Sequence, residues 1–196
     1  RIFPSWIMKN FKDSSLPVIE IKEGEDPCLL KTEKDLHKYQ SFIGKYLSSS
    51  NSNFNEILIY HGLGSGKTVS GINVINVLYN FTEKINVIIL IKASIHDDPW
   101  IKEMKKWLGN GGIEGKLFKL VHFVHYDSPY ADKDFLDVKK KLDPTFRNVY
   151  IIDEAHNFIR NVYSNITTQE GKRAQVVYDY ILKEKEDNPK TVVVLM

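Results

Sequence analysis

Cysteine is almost absent from this chain: Cys28 stands alone, which excludes a disulfide framework and favours a reducing compartment. Long apolar runs are missing too. A run such as Val87 to Ile91 falls far short of the roughly 20 residues of a membrane span, and no signal peptide is visible. Charge of one sign is also lacking, with 27 Lys and Arg against 25 Asp and Glu for a formal net charge of +2. Bulk electrostatics therefore argue for neither a nucleic acid nor an anionic membrane, and any such partner has to be argued from local sites. The triplets beginning at Asn80 and Asn165 fit the N-glycosylation pattern but matter only in a secreted protein. No internal repeat stands out.

What is there suits one globular domain: 196 residues, 42% of them apolar, enough for a real core. The chain starts on Arg1 and stops on "KTVVVLM", which reads as a buried strand. The expectation is a piece of a longer protein.

Residues 1–30 read as an irregular extension, punctuated by Pro4, Pro17, Gly24 and Pro27, with Trp6, Ile7 and Phe11 as anchors. Residues 31–196 read as the folded domain. A helical pattern runs from Glu33 to Leu47, and "SSSNSN" at 48–53 reads as a flexible loop. "EILIY", a glycine loop and a helix over Lys67–Tyr79 follow. "INVIILI" at 85–91 is the continuous apolar run of a strand covered on both faces. Asp97 or Asp98 is placed to cap a helix with Pro99 in its first turn, ending before "GNGG". Strands over 118–126, 148–153 and 191–196 alternate with helices over 133–142 and 172–185. Such alternation predicts an α/β fold, a mostly parallel sheet with helices on both faces.

The segment "YHGLGSGKT" carries the chemistry. Gly62, Gly64 and Gly66 let backbone N–H groups turn toward a phosphate with no Cβ in the way, and Leu63 and Ser65 complete the cradle. Lys67 is placed to reach the β- and γ-phosphates of ATP, and the Thr68 hydroxyl can take one Mg2+ position. His61 stands where the Walker pattern has glycine; it alters the entry of the turn and leaves the cradle intact. The second element is "VYIIDEAHNF". At the end of such a strand Asp153 can hold Mg2+ through water and Glu154 can polarise the attacking water as general base. Together the elements predict a P-loop nucleoside triphosphatase, and hydrolysis fits better than a kinase reaction because no second substrate pocket is needed.

"GSGKT" followed by "DEAH" resembles superfamily 2 helicases and translocases, whose core is two RecA-like domains. "LHKYQSFIGKYL" is similar to their adenine-reading Q motif, with Gln40 as the glutamine. "VIILIKASIHDDPWIKEMKKW", the pair Tyr126-Asp127 and "IIDEAHNFI" resemble Snf2-like ATPases and, most closely, poxvirus nucleoside triphosphatase I. The likeness runs from about Asp35 to the C-terminus. It implies a RecA-like first domain over 31–196, a second RecA-like domain with arginine fingers elsewhere, and weak or no activity for this piece by itself. It also implies a DNA-dependent ATPase working with viral RNA polymerase in transcript release, placed in the virion core and host cytoplasm, with no membrane. His156 is implied to sense nucleotide state.

The same resemblance offers Lys92 and Ser94 after the second strand, and Tyr126, Asp127 and Ser128 after the third, as contacts to a nucleic acid backbone. Contacts of this kind position a strand and read no sequence. Lys92 serves equally well as a solvated lysine. Trp100 and Trp107 read as core or interdomain packing rather than base-stacking platforms, and "KKK" at 139–141 as a solvated helix face. His122 and His125 point to opposite sides of a strand, against a metal site there. Two other functions compete with a motor on DNA: a viral transcription initiation factor subunit that uses ATP as a switch, and a chromatin-type remodeller.

Overall fold

The computed structural model describes residues 2–15, 36–48, 55–62, 64–114 and 116–196. Five strands form one parallel sheet: β1 (Glu56–Leu58), β2 (Ile85–Ile91), β3 (Val121–His125), β4 (Arg147–Ile152) and β5 (Val192–Leu195), in the order β1-β5-β4-β2-β3. Leu90 pairs with Ile152, Ile91 with His125 and Leu58 with Leu195. All strands therefore leave the sheet at one rim, where open α/β sheets bind ligands. The expected α/β class and parallel sheet are borne out.

Every residue of β2 is buried, and the alternation of its side chains builds two cores. Val87, Ile89 and Ile91 face α2 (Lys38–Ser48), α3 (Lys67–Phe81) and Trp100. Ile88 and Leu90 face Phe135 of α6 (Ala131–Lys141), Phe158 of α7 (Ala155–Tyr163) and Val177 of α8 (Gln169–Asp187). Truncating one such aromatic to alanine costs about 3–5 kcal/mol. Asn86, the one polar residue of β2, donates to Asp143 O and Asn148 Oδ1, both at 2.8 Å, which satisfies its buried amide.

Several elements differ from the sequence reading. Residues Ile2–Asn10 form a helix, α1, where an irregular segment is expected; Trp6 and Ile7 pack against the first core and hold it there. The chain between them and α2, including residues 16–30 of the expected extension and the start of the expected helix at Glu33, lies outside the described residues, as does most of the 48–53 loop. α4 (Lys102–Glu114) runs through "GNGG" rather than stopping before it. A glycine costs a helix only about 1 kcal/mol against alanine, and Trp107 and Leu108 anchor this one on the core. Neither Asp97 nor Asp98 caps by side chain; Asp98 is extended (φ −130, ψ 115) and accepts from Lys102. The expected strand from 118 is shortened by α5 (Lys116–Lys119). Lys139 is no solvated lysine: its ammonium lies 2.7 Å from Glu184 and donates to Tyr150 Oη. Among the described residues no helix is long and apolar enough to cross a membrane.

Candidate nucleotide-binding site

Gly64 (φ 76) and Gly66 (φ 75) both take the left-handed backbone, which a side chain disfavours by about 1–2 kcal/mol. A Cβ at Gly62 or Gly64 meets nothing within 4 Å, so the loop is open on that side. Ser65 closes the turn by donating from its N–H and Oγ to Gly62 O, at 3.3 and 2.6 Å. Lys67 and Thr68 are the first residues of α3, whose first turn holds no acidic side chain. The free N–H groups and positive end of that helix therefore face the loop with no carboxylate of the helix's own first turn to compete. Leu63 lies outside the described residues.

Gln40 is buried against this loop. Its Nε2 donates to Gly66 O at 3.2 Å and Ser65 O at 3.4 Å, and its Oε1 accepts from His37 N at 2.9 Å. The amide nitrogen is turned to the loop carbonyls, so in this arrangement Gln40 braces the loop rather than presenting its amide to adenine, as the Q-motif likeness implies. Tyr39 adds a donation from its hydroxyl to Ser65 O at 2.8 Å, a contact the sequence reading missed. His61 packs edge-on against Tyr39, with ring centroids 5.1 Å apart. Burial, and then Lys67, hold its imidazole below the ordinary range, so it adds no charge to the loop at neutral pH.

At the end of β4, Asp153 is buried and Glu154 half-buried. The Asp153 Oδ1 accepts from Glu154 N at 2.9 Å and its Oδ2 from Trp100 Nε1 at 2.8 Å. Burial pushes this carboxyl up from the ordinary range, against those two donors and Lys67. Glu154 has φ 49, a left-handed conformation that costs a non-glycine residue roughly 1–3 kcal/mol and clusters at functional sites. The turn aims its carboxylate at the loop: Lys67 Nζ donates to Glu154 Oε1 at 2.7 Å. Hydrogen bonding to Lys67 holds the Glu154 carboxyl below its ordinary value. His156, exposed on the first turn of α7, has Nδ1 3.4 Å from Glu154 Oε2. Lys67, Asp153, Glu154 and His156 are thus brought together.

The five nucleic-acid candidates divide. Lys92, half-buried, and Ser94, exposed, follow β2 at the rim. Asp127 is exposed, but its Oδ1 accepts from Ala93 N at 3.0 Å and so clasps the two loops. Ser128 is half-buried and its Oγ accepts from Tyr130 N. Tyr126 departs from the expectation. It is buried with its ring on Phe158, 5.8 Å between centroids, because the residue after β3 turns into the second core. Its side chain offers nothing to a strand passing over the rim, and burial with the nearby Asp153, Asp127 and Glu154 pushes its phenol far up. Trp100 is core, as expected, and Trp107 donates to Glu103 on its own helix. The bond from Trp100 to Asp153 had no sequence signal beyond the rule that a buried indole needs an acceptor.

The pattern of one protein family, the type III restriction enzyme res subunit, matches residues 33–178. The chain belongs to this family. Its RecA-like helicase fold is the one described above. A protein of Acanthamoeba polyphaga mimivirus bearing the name of an ATP-dependent RNA helicase is 52% identical over the whole chain. The nucleoside triphosphatase I proteins of Choristoneura biennis and Amsacta moorei entomopoxviruses are 26% and 24% identical over 67% of it. The chain spans only 25%, 20% and 20% of these relatives' lengths.

Proposed function

We propose that the intact protein is a DNA-dependent ATPase that translocates on its strand and serves viral transcription at the step of transcript release. The observation that carries the hydrolytic part is the Lys67–Glu154 contact, which joins a phosphate loop to an acidic strand end 87 positions away. Arriving phosphate draws Lys67 away from Glu154, and the freed carboxylate, ionised at neutral pH, orients water toward the γ-phosphate.

The residues suit a magnesium nucleotide. Gly64, Gly66, Lys67 and Thr68 lie where an open loop enters α3, whose first N–H groups have no partner within the helix, and Asp153 is a buried carboxylate whose burial favours any added cation. Thr68 and Asp153 would hold Mg2+, which supplies charge neutralisation at the phosphates. Among the described residues no group of three or more His, Cys, Asp or Glu is arranged to hold a metal. Lys92, Ser94 and Ser128 line the rim for backbone contacts; Asp127 holds their loops together.

DNA and the viral polymerase machinery as partners are what the sequence resemblance to poxvirus nucleoside triphosphatase I implies. The name of the mimivirus relative supplies the competing strand, RNA. The second RecA-like domain, and the virion core and infected cytoplasm as the place of action, belong to the same proposal. The test is ATP hydrolysis by the full-length protein with no nucleic acid, with single-stranded DNA and with RNA, at low salt where phosphate contacts are strongest. A rate indifferent to both strands rejects the motor; stimulation by RNA alone rejects the DNA assignment.

A further inference from the structure

The indole of Trp100 is fully buried and donates to Asp153 Oδ2 at 2.8 Å, while Oδ1 takes the Glu154 N–H at 2.9 Å. One donor on each oxygen fixes the plane of the carboxylate and leaves acceptor capacity on both. The place of the indole is set by the nucleotide domain itself. A Cβ on Gly71 of α3 would lie 2.9 Å from the Trp100 Cη2, so the loop's own helix is cut away to admit the ring. Phe123 of β3 meets it edge-on, with centroids 6.3 Å apart.

The other end of the same segment sits at the rim. Ala93 N donates to Asp127 Oδ1 at 3.0 Å, which ties the exit of β2 to the turn after β3. Residues 93–100 therefore run from the clasp beside Lys92, Ser94 and Ser128 down to the buried carboxylate.

We propose that Trp100 is a positioning residue for Asp153, and that the segment from Ala93 to Trp100 transmits occupancy of the rim by a nucleic acid backbone to that carboxylate. This rests on the nucleotide-site and nucleic-acid readings above. A strand that displaces the Ala93–Asp127 clasp displaces the segment, and with it the donor on Oδ2. The coupling is reciprocal for binding: nucleotide held through Asp153 alters the affinity of the rim for a strand. Partners behind a metal ligand commonly change metal affinity or activity about 10–100-fold.

The test uses the full-length protein with Trp100→Phe, which removes the donor and keeps a ring. Binding of a fluorescent, non-hydrolysable ATP analogue is titrated with and without Mg2+, and turnover is measured with and without single-stranded DNA. The expected result is an affinity without Mg2+ close to wild type, and a Mg2+ requirement for tight binding raised about tenfold or more. The ratio of DNA-stimulated to basal turnover falls toward one. Phenylalanine also shrinks the side chain, so a second variant carries benzothienylalanine at position 100, a bicyclic isostere without the N–H. An unchanged Mg2+ requirement in that isostere overturns the positioning role. A raised requirement with an undiminished stimulation ratio overturns the transmission. Failure of the wild-type protein to bind the analogue overturns the nucleotide-site reading itself, and wild-type turnover indifferent to DNA overturns the strand reading, both distinct outcomes.

Discussion

The ammonium of Lys67 and the carboxylate of Glu154 meet at 2.7 Å, one on the first turn after the glycine loop and the other on a strained turn after β4. On the proposed reading the two residues have separable jobs. Glu154→Gln keeps nucleotide binding and loses turnover by about two or more orders of magnitude, as expected for removal of a general base. Lys67→Ala weakens nucleotide binding itself. Equilibrium binding and steady-state hydrolysis on the two variants separate these effects, and a Gln variant at full rate shows that another group activates water.

The same pair predicts a pH effect on stability. Lys67 holds the Glu154 carboxyl below its ordinary value of 4.5. A depressed carboxyl binds fewer protons folded than unfolded, so its contribution is full above the ordinary value and is lost as pH falls through the lower folded one. Urea melts between neutral and acid pH read this directly. Lys67→Met flattens the acid limb; an unaltered limb shows that the pair contributes nothing in solution.

Gly66→Ala disturbs the loop in two ways. The left-handed φ of 75 disfavours the new side chain, and the added Cβ falls 2.6 Å from Gln40 Nε2. The expected cost is about 1–2 kcal/mol of stability together with loss of nucleotide binding. Thermal melting and analogue binding check it. The converse change, Gly62→Ala, meets open space and leaves stability close to wild type.

Because the amide nitrogen of Gln40 is turned to loop carbonyls, Gln40→Ala weakens ATP and GTP binding to the same degree. A selective loss of ATP binding returns Gln40 to the role of base reader.

Lys92→Ala reduces affinity for single-stranded DNA uniformly across sequences. It also lowers the slope of log affinity against log salt by about one, the signature of one lost phosphate contact. Tyr126→Phe leaves that slope unchanged, since the Tyr126 side chain is buried.

Much of the fold was legible because its signals are local. The apolar run of β2 and the strand–loop–helix around Gly66 each lie within one stretch of chain. α7 carries a local signal too, with Ala155, Phe158 and Val162 at helical spacing, although the helices expected over 133–142 and 172–185 leave it out. The role of Gln40 was harder to see: its partners lie 25 and 26 positions on, and spacing does not say which way an amide turns. Tyr126 differs from the expectation for a similar reason. A residue just past a strand end can turn to the rim or to the core, and the Phe158 ring on α7 decided for the core.

By itself, the order of residues determined a phosphate loop, an acidic strand end and the alternating pattern that builds a parallel sheet, because glycine freedom, carboxylate chemistry and side-chain periodicity act over a few neighbours. Tertiary structure alone decided that Lys67 reaches Glu154, that Trp100 holds Asp153, and that Gln40 braces the loop. Those are pairings between groups distant in sequence, and their geometry exists only once strand register and helix packing have brought the groups to one rim of the sheet.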